Sequence, residues 1–185
     1  SGSKDRSIKL WTKSGRLLRN FPLHSTEVID AIFSPDGKYV ISRSEDRLKV
    51  WNFGGDLHWE GTCLSPPSIN SFTNYDPIHF SPDGIHLLSV STDSIPYLLD
   101  LERRTVKKLP ELSFFNLKFS PDGRIVLSNN FSKIKLYNRA TEQLHEILVK
   151  NVEAEPFVPG PFKVDFINQD TLVLVFANED LFTEG

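Results

Sequence analysis

The chain has 185 residues, 39% hydrophobic and 24% charged, with a formal net charge of −3. That composition excludes wholesale disorder and fits a soluble globular class burying one sizeable core or several small ones in series. Residues 1–92 carry ten basic and ten acidic side chains and residues 93–185 carry eleven and fourteen, so no basic field awaits nucleic acid or an acidic membrane.

Cys63 is the only cysteine, which rules out an intrachain disulfide and points to a reduced, cytoplasmic setting. No apolar run approaches the roughly 18 residues of a membrane helix, and no signal-peptide pattern opens the chain. The chain begins with Ser1 and contains no methionine, so it reads as a piece of a longer protein.

In chain order, "SGSKDRSIKLW" comes first, with Asp5 in a tight turn and a strand ending at Trp11. "FSPDG" then stands at 33–37, between the strand-like stretches "VIDAIF" and "KYVISRS". Asp46 follows Phe33 by 13 residues and Trp51 by 18, in "SRSEDRLKVWN". The five residues recur at 80–84, between "DPIHF" and "IHLLSVS", and the same offsets reach Asp93 and Leu98. They recur again at 119–123, between "FNLKF" and "RIVLSNN", and the offsets reach Ser132 and Tyr137. "VDFINQDTLVLVF" is a degenerate fourth copy that keeps Phe166 and Asp170 without the proline and glycine.

A repeat of this length is one supersecondary unit that buries its core against its neighbours. The unit reads as strand, FSPDG turn, strand, tight aspartate turn, strand and variable return. Units are expected at about 1–20 (partial), 21–62, 63–109, 110–149 and 150–185 (partial). Proline presets φ at the first central position of the turn, aspartate tolerates the second, and glycine accepts the left-handed geometry that returns the chain. Phe-to-Phe spacings of 47, 39 and 47 place the length variation in the returns. Two of these are long and Pro-rich, "CLSPPSINSFTNYDP" and "NVEAEPFVPGPFK". Long loops on a rigid scaffold are where binding resides, although loop drift explains them equally well.

These motifs resemble the WD-repeat β-propeller family over nearly the whole chain, most closely in "SGSKDRSIKLW" and "FSPDGKYVISRSEDRLKVW". The resemblance implies an all-β fold of four-stranded antiparallel blades, here an incomplete ring of three full units and two partial ones. It also implies a buried hydrogen-bonded set, supplied in full by His24, Ser42, Asp46 and Trp51, with Leu23 where a glycine usually precedes the histidine. Partial sets are Ser1, Asp5 and Trp11; Ser89 and Asp93, with Ser71 and Leu98 for His and Trp; and Ser128 with Tyr137. Blades with partial sets are expected to rely more on apolar packing. Open edges invite self-association of the segment.

A structural reading explains the full set, because a buried Trp N–H and His N–H need acceptors. The alternative, His24 as a general base oriented by Asp46, lacks any marked nucleophile. His58 with Cys63, and His79 with His86, make no zinc set, and Asp36, Asp83 and Asp122 each belong to a hairpin turn. Arg103, Arg104, Lys107 and Lys108 read as a solvated hairpin. No catalytic residue, metal site or cofactor is expected.

Two functions follow. One is a non-catalytic scaffold for protein partners or sibling domains; the other is the propeller portion of a larger enzyme, such as the gating domain of a serine peptidase. The resemblance implies partner contacts on the rim shared by the aspartate turns and the long returns. By offset these are Lys4, Glu45, Thr92 and Phe131 in the turns, and Ser25, Glu27, Phe72, Asn74, Glu111 and Ser113 where inner strands open. Phe72 and Phe131 are the most telling, since aromatic side chains anchor interfaces.

Overall fold

The computed structural model of the chain describes residues 4–45, 47–62, 78–114, 116–129, 133–148, 163–169 and 171–175. Every regular element among them is a strand. A two-stranded sheet, β1 (Ile8–Trp11) and β2 (Leu17–Phe21), precedes three four-stranded sheets. The first blade is β3 (Asp30–Phe33), β4 (Tyr39–Arg43), β5 (Arg47–Asn52) and β6 (Leu57–Thr62). The second is β7 (Ile78–Phe80), β8 (His86–Val90), β9 (Pro96–Asp100) and β10 (Thr105–Lys108). The third is β11 (Lys118–Phe119), β12 (Ile125–Asn129), β13 (Lys133–Asn138) and β14 (Leu144–Leu148). The hairpin of β15 (Lys163–Asn168) and β16 (Thr171–Val175) closes the series. Within each blade the strands pair antiparallel in sequence order, so each is a simple meander.

The cores lie between sheets. Side chains alternate along a strand, so β4 sends Val40 into one seam and Ile41 into the next. Val40 and Trp51 meet Ile8, Phe21 and Val28 on the β1–β2 side, whereas Ile41, Leu48 and Val50 meet Ile78, Leu87 and Leu99 of the second blade. β8 and β12 repeat this: Leu87 faces back and Leu88 forward, then Val126 back and Leu127 forward. Leu127 and Ile134 pack on Val164 of β15. Polar links cross the seams too. His58 Nε2 lies 2.5 Å from Leu101 O, and Lys118 pairs with Asp165 at 3.0 Å.

Each FSPDG turn is wired through its serine, a role that spacing alone does not reveal. In the second blade Ser81 O–H donates to Asp83 Oδ1 at 2.5 Å, while Ser81 Oγ accepts the His86 N–H at 2.9 Å. Asp83 Oδ1 also accepts the Ile85 N–H at 2.9 Å, and Gly84 N–H reaches Ser81 O at the same distance. Ser34 and Ser120 repeat the pattern, and all three serines are buried. The three glycines share φ of 72°. The aspartates titrate below the usual carboxylate range: burial opposes this at Asp36 and Asp83, but the serine hydroxyl and a turn amide outweigh it, and at Asp122 the Ser120 hydroxyl leads.

The turns also stack from blade to blade. A Cβ on Gly84 would lie 2.9 Å from Asp36 Cγ and 3.0 Å from its backbone nitrogen; one on Gly123 would lie 3.1 Å from Pro82 Cδ; one on Gly37 would meet nothing within 4 Å. Gly37→Ala therefore carries only the left-handed backbone strain of about 1–2 kcal/mol. Gly84→Ala adds a collision with backbone and should cost at least about 1 kcal/mol more, read as a lower denaturant midpoint. Equal midpoints for the two variants would show that the turns are not in contact.

Candidate interaction rim and the buried histidine set

The tight turns that end the second strand of the first and second blades define one rim. Ser44 N–H donates to Arg47 O at 2.9 Å to close the first of them, and Ser91 N–H donates to Ile95 O at 3.0 Å in the second. Immediately beneath the first turn lies a buried polar group. Ser42 Oγ accepts the Trp51 Nε1–H at 2.8 Å and lies 2.7 Å from His24 Nε2. Trp51 is 1% exposed and packs on Phe21 with ring centres 5.8 Å apart. The His24 main-chain N–H donates to Arg6 O at 3.0 Å, anchoring the residue to the neighbouring sheet. Asp46 lies outside the described residues.

Burial, then the Lys49 charge, lowers the His24 pKa from 6.5 to about 4, so the ring is neutral at physiological pH. With its proton on Nδ1, the ring accepts from Ser42 at Nε2, and Ser42 in turn accepts from Trp51. Ser42 is 0% and His24 2% exposed, so this hydroxyl–imidazole pair is sealed from any substrate and serves packing, while His24 Nδ1 is buried with no partner among the described residues.

The other sets differ from it. Trp11 is 46% exposed, unlike Trp51, because no strand among the described residues pairs with the other edge of β1. Asp5 turns to its own loop, accepting Ser7 N–H at 2.9 Å and Ser7 O–H at 2.5 Å. Ser89 is buried, yet Asp93 does not join it. The Asp93 carboxylate is exposed, accepts Ser91 O–H and Lys108 Nζ–H, and titrates at about 2 because of those two donors. Ser128 Oγ accepts the Ser113 N–H at 3.2 Å, and Tyr137 is buried among Leu88, Val90 and Val126 with Lys107 Nζ 5.4 Å from its ring centre. Ser1 lies outside the described residues.

On the rim, Lys4, Ser25, Glu27, Glu45, Thr92 and Glu111 are exposed and Ser113 is half-buried. Phe72, Asn74 and Phe131 lie outside the described residues. Three of the four cations in the basic hairpin carry partners: Arg103 pairs with Asp100, Lys107 with Glu142 and Lys108 with Asp93. Two features escaped the sequence reading. Arg43 is buried at this rim; lining up Ser42-Arg43-Ser44 with Ser89-Val90-Ser91 exposes it as an oddity. On the opposite face, a cleft of about 520 Å³ between the second and third blades holds Arg139, whose Nη2 lies 2.7 Å from His86 Nδ1. His86 is 3.8 Å from Asp100, and burial, then Arg139, holds its pKa below the ordinary value.

Comparison with known proteins agrees with this architecture. The family described as "WD domain, G-beta repeat" matches residues 15–52, from just before β2 to the end of β5. Residues 15–52 of this chain thus match one WD repeat. Nuclear distribution protein nudF 2 of Penicillium rubens is 38% identical over 65 residues, 35% of this chain and 13% of that protein. Nuclear distribution protein PAC1 of Ajellomyces capsulatus is 40% identical over a stretch of the same length. Nuclear distribution protein nudF 1 of Talaromyces marneffei is 35% identical over 95 residues, 51% of this chain and 20% of that protein. The chain thus spans a fifth or less of these relatives.

Two outcomes follow for the buried set. Trp51→Phe removes the donor to Ser42 and should destabilise by about 1–3 kcal/mol. Asp46→Ala, if that side chain caps the set, should fall in the same range of about 1–3 kcal/mol; unchanged denaturant midpoints for both would remove the structural role. The pH dependence has a definite sign. Above pH 6.5 His24 is neutral folded and unfolded, and its contribution is complete. As pH falls from 6.5 to about 4, the unfolded chain gains a proton that the folded chain refuses, and stability is lost. The loss should total on the order of 3 kcal/mol. His24→Gln should flatten that segment of the stability profile, whereas parallel profiles would show that His24 titrates normally.

Proposed function

We propose that this chain is a non-catalytic interaction scaffold that presents its tight-turn rim to protein partners or to sibling domains of a larger protein. The observation that carries the reading is the idleness of the rim. Lys4, Ser25, Glu27, Glu45 and Thr92 are exposed, and none of these side chains makes a hydrogen bond or ion pair among the described residues. The turn aspartates are committed to turn amides and serine hydroxyls on both faces, Asp5 and Asp93 at the rim as much as Asp36, Asp83 and Asp122 opposite, so the idle side chains at the rim are their neighbours. Side chains with no work in the fold are available for recognition. WD repeats supply the rigid platform, and relatives named nuclear distribution proteins match 65 and 95 residues of this chain. The partner is a protein rather than nucleic acid or a membrane, since the balanced charge offers no basic field.

The aromatic residues Phe72 and Phe131 are the proposed anchors at this rim. Phe72→Ala and Phe131→Ala in the full-length protein should weaken capture of its native partner at least about tenfold, with the melting temperature unchanged. Early melting with normal capture once folded would make them packing residues and move the interface elsewhere.

A further inference from the structure

Arg43 ends β4 at this rim and is 6% exposed. By alternation it shares the face of Ile41, which packs in the seam between the first and second blades. At the same position of the next unit stands Val90, 1% exposed inside the apolar cluster of the following seam. A permanent cation therefore occupies a site that the neighbouring repeat fills with valine. Its Nε and Nη1 are buried, and no acceptor for either lies among the described residues. Asp30 stands directly across on β3, yet its Oδ1 accepts the Ala31 N–H at 2.7 Å and makes no ion pair with Arg43. Thr26 Oγ1, in the segment leading into β3 from the same rim, is likewise buried without a partner among the described residues.

A buried cation with idle donors is among the least favourable arrangements a folded chain can hold. The second blade fills this position with Val90 and the third with Asn129, 3% exposed, so a full cation here calls for an acceptor beyond those the described residues supply. We propose that Arg43 receives a carboxylate carried by an acidic segment of a protein partner, inserted into the seam between the first and second blades. This rests on the rim reading above and names the chemistry of the group recognised. Entry lies past Ile29, which is 51% exposed and donates its N–H to Arg43 O at 2.8 Å. Glu27, Asp30 and Glu45 are exposed around this entrance. They repel anions that stay in solvent, where salt screens them, so the gain is confined to a carboxylate delivered to the guanidinium itself. The residue is thus kept for binding at the expense of the free fold.

The experiment uses Arg43→Met, which keeps length and bulk without charge, and Arg43→Lys, which keeps the charge. In the full-length protein without a partner, Arg43→Met should raise the melting temperature by several degrees, since an uncompensated buried charge is removed. Calorimetric titration with acetylated hexaglutamate should give saturable binding to wild type, at least about tenfold weaker binding to Arg43→Met, and an intermediate value for Arg43→Lys. Hexaglutamine should not bind. A lower melting temperature for Arg43→Met would mean that the chain supplies its own acceptor, and would overturn the proposal. So would equal binding of hexaglutamate to wild type and Arg43→Met, or no binding to either. If Arg43→Met captures the native partner normally while Phe72→Ala and Phe131→Ala do not, the rim reading stands and the carboxylate receptor falls.

Discussion

Everything in this architecture depends on the second strand of each blade having two buried faces. β4, β8 and β12 run between two seams, so no blade can satisfy its own apolar residues. Ile41 and Leu87 share one seam and Leu88 and Val126 share the next, each side chain buried only because the adjacent sheet is present. Burying such a residue fully contributes about 1.5–3 kcal/mol, and several meet in each seam. Stability in such an array resides at the junctions as much as within the units. The polar residues on these strands inherit the same confinement. Ser42 is tolerable because Trp51 and His24 saturate it, and Ser128 because the Ser113 amide reaches it.

Much of this was legible in the sequence, because the turn chemistry is local. Proline, aspartate and glycine in fixed order report a hairpin wherever they stand, and the constant offset to the Trp position carries the next two strands with it. The degenerate "VDFINQD" still paired as a hairpin, since alternation survives loss of the turn residues. Less legible was anything set by a neighbouring blade. Trp11 and Trp51 occupy equivalent positions in the repeat, yet one is 46% exposed and the other 1%. That difference lies in which strands surround them, not in the local pattern. Asp93 matched its offset and still turned outward, because Lys108 and Ser91 offered it donors at the surface. The serine of FSPDG had no role assigned from sequence, although its hydroxyl both donates and accepts inside the turn.

The rim and the opposite face divide the work of the repeat. On the FSPDG face, charge is spent locally: each aspartate holds its own turn, and Arg139 reaches His86 across a seam. On the tight-turn face, Lys4, Glu45 and Thr92 stand exposed without side-chain partners among the described residues, and the Nε and Nη1 of Arg43 lack an acceptor among them. A scaffold with one face committed to its own integrity can vary the other with little penalty to folding.

The contacts between successive FSPDG turns have a geometric corollary. Each turn offers a protruding Pro-Asp corner on one side and a glycine hollow on the other: Asp36 sits against Gly84, and Pro82 against Gly123. Such an interface is head-to-tail, so it never satisfies itself and always leaves one corner and one hollow unused at the ends of a row. Any further copy of the unit, gained by gene duplication, arrives with both halves of the joint already built. Rows of this kind lengthen one blade at a time without new interface chemistry, and they stop growing only when the last hollow meets the first corner.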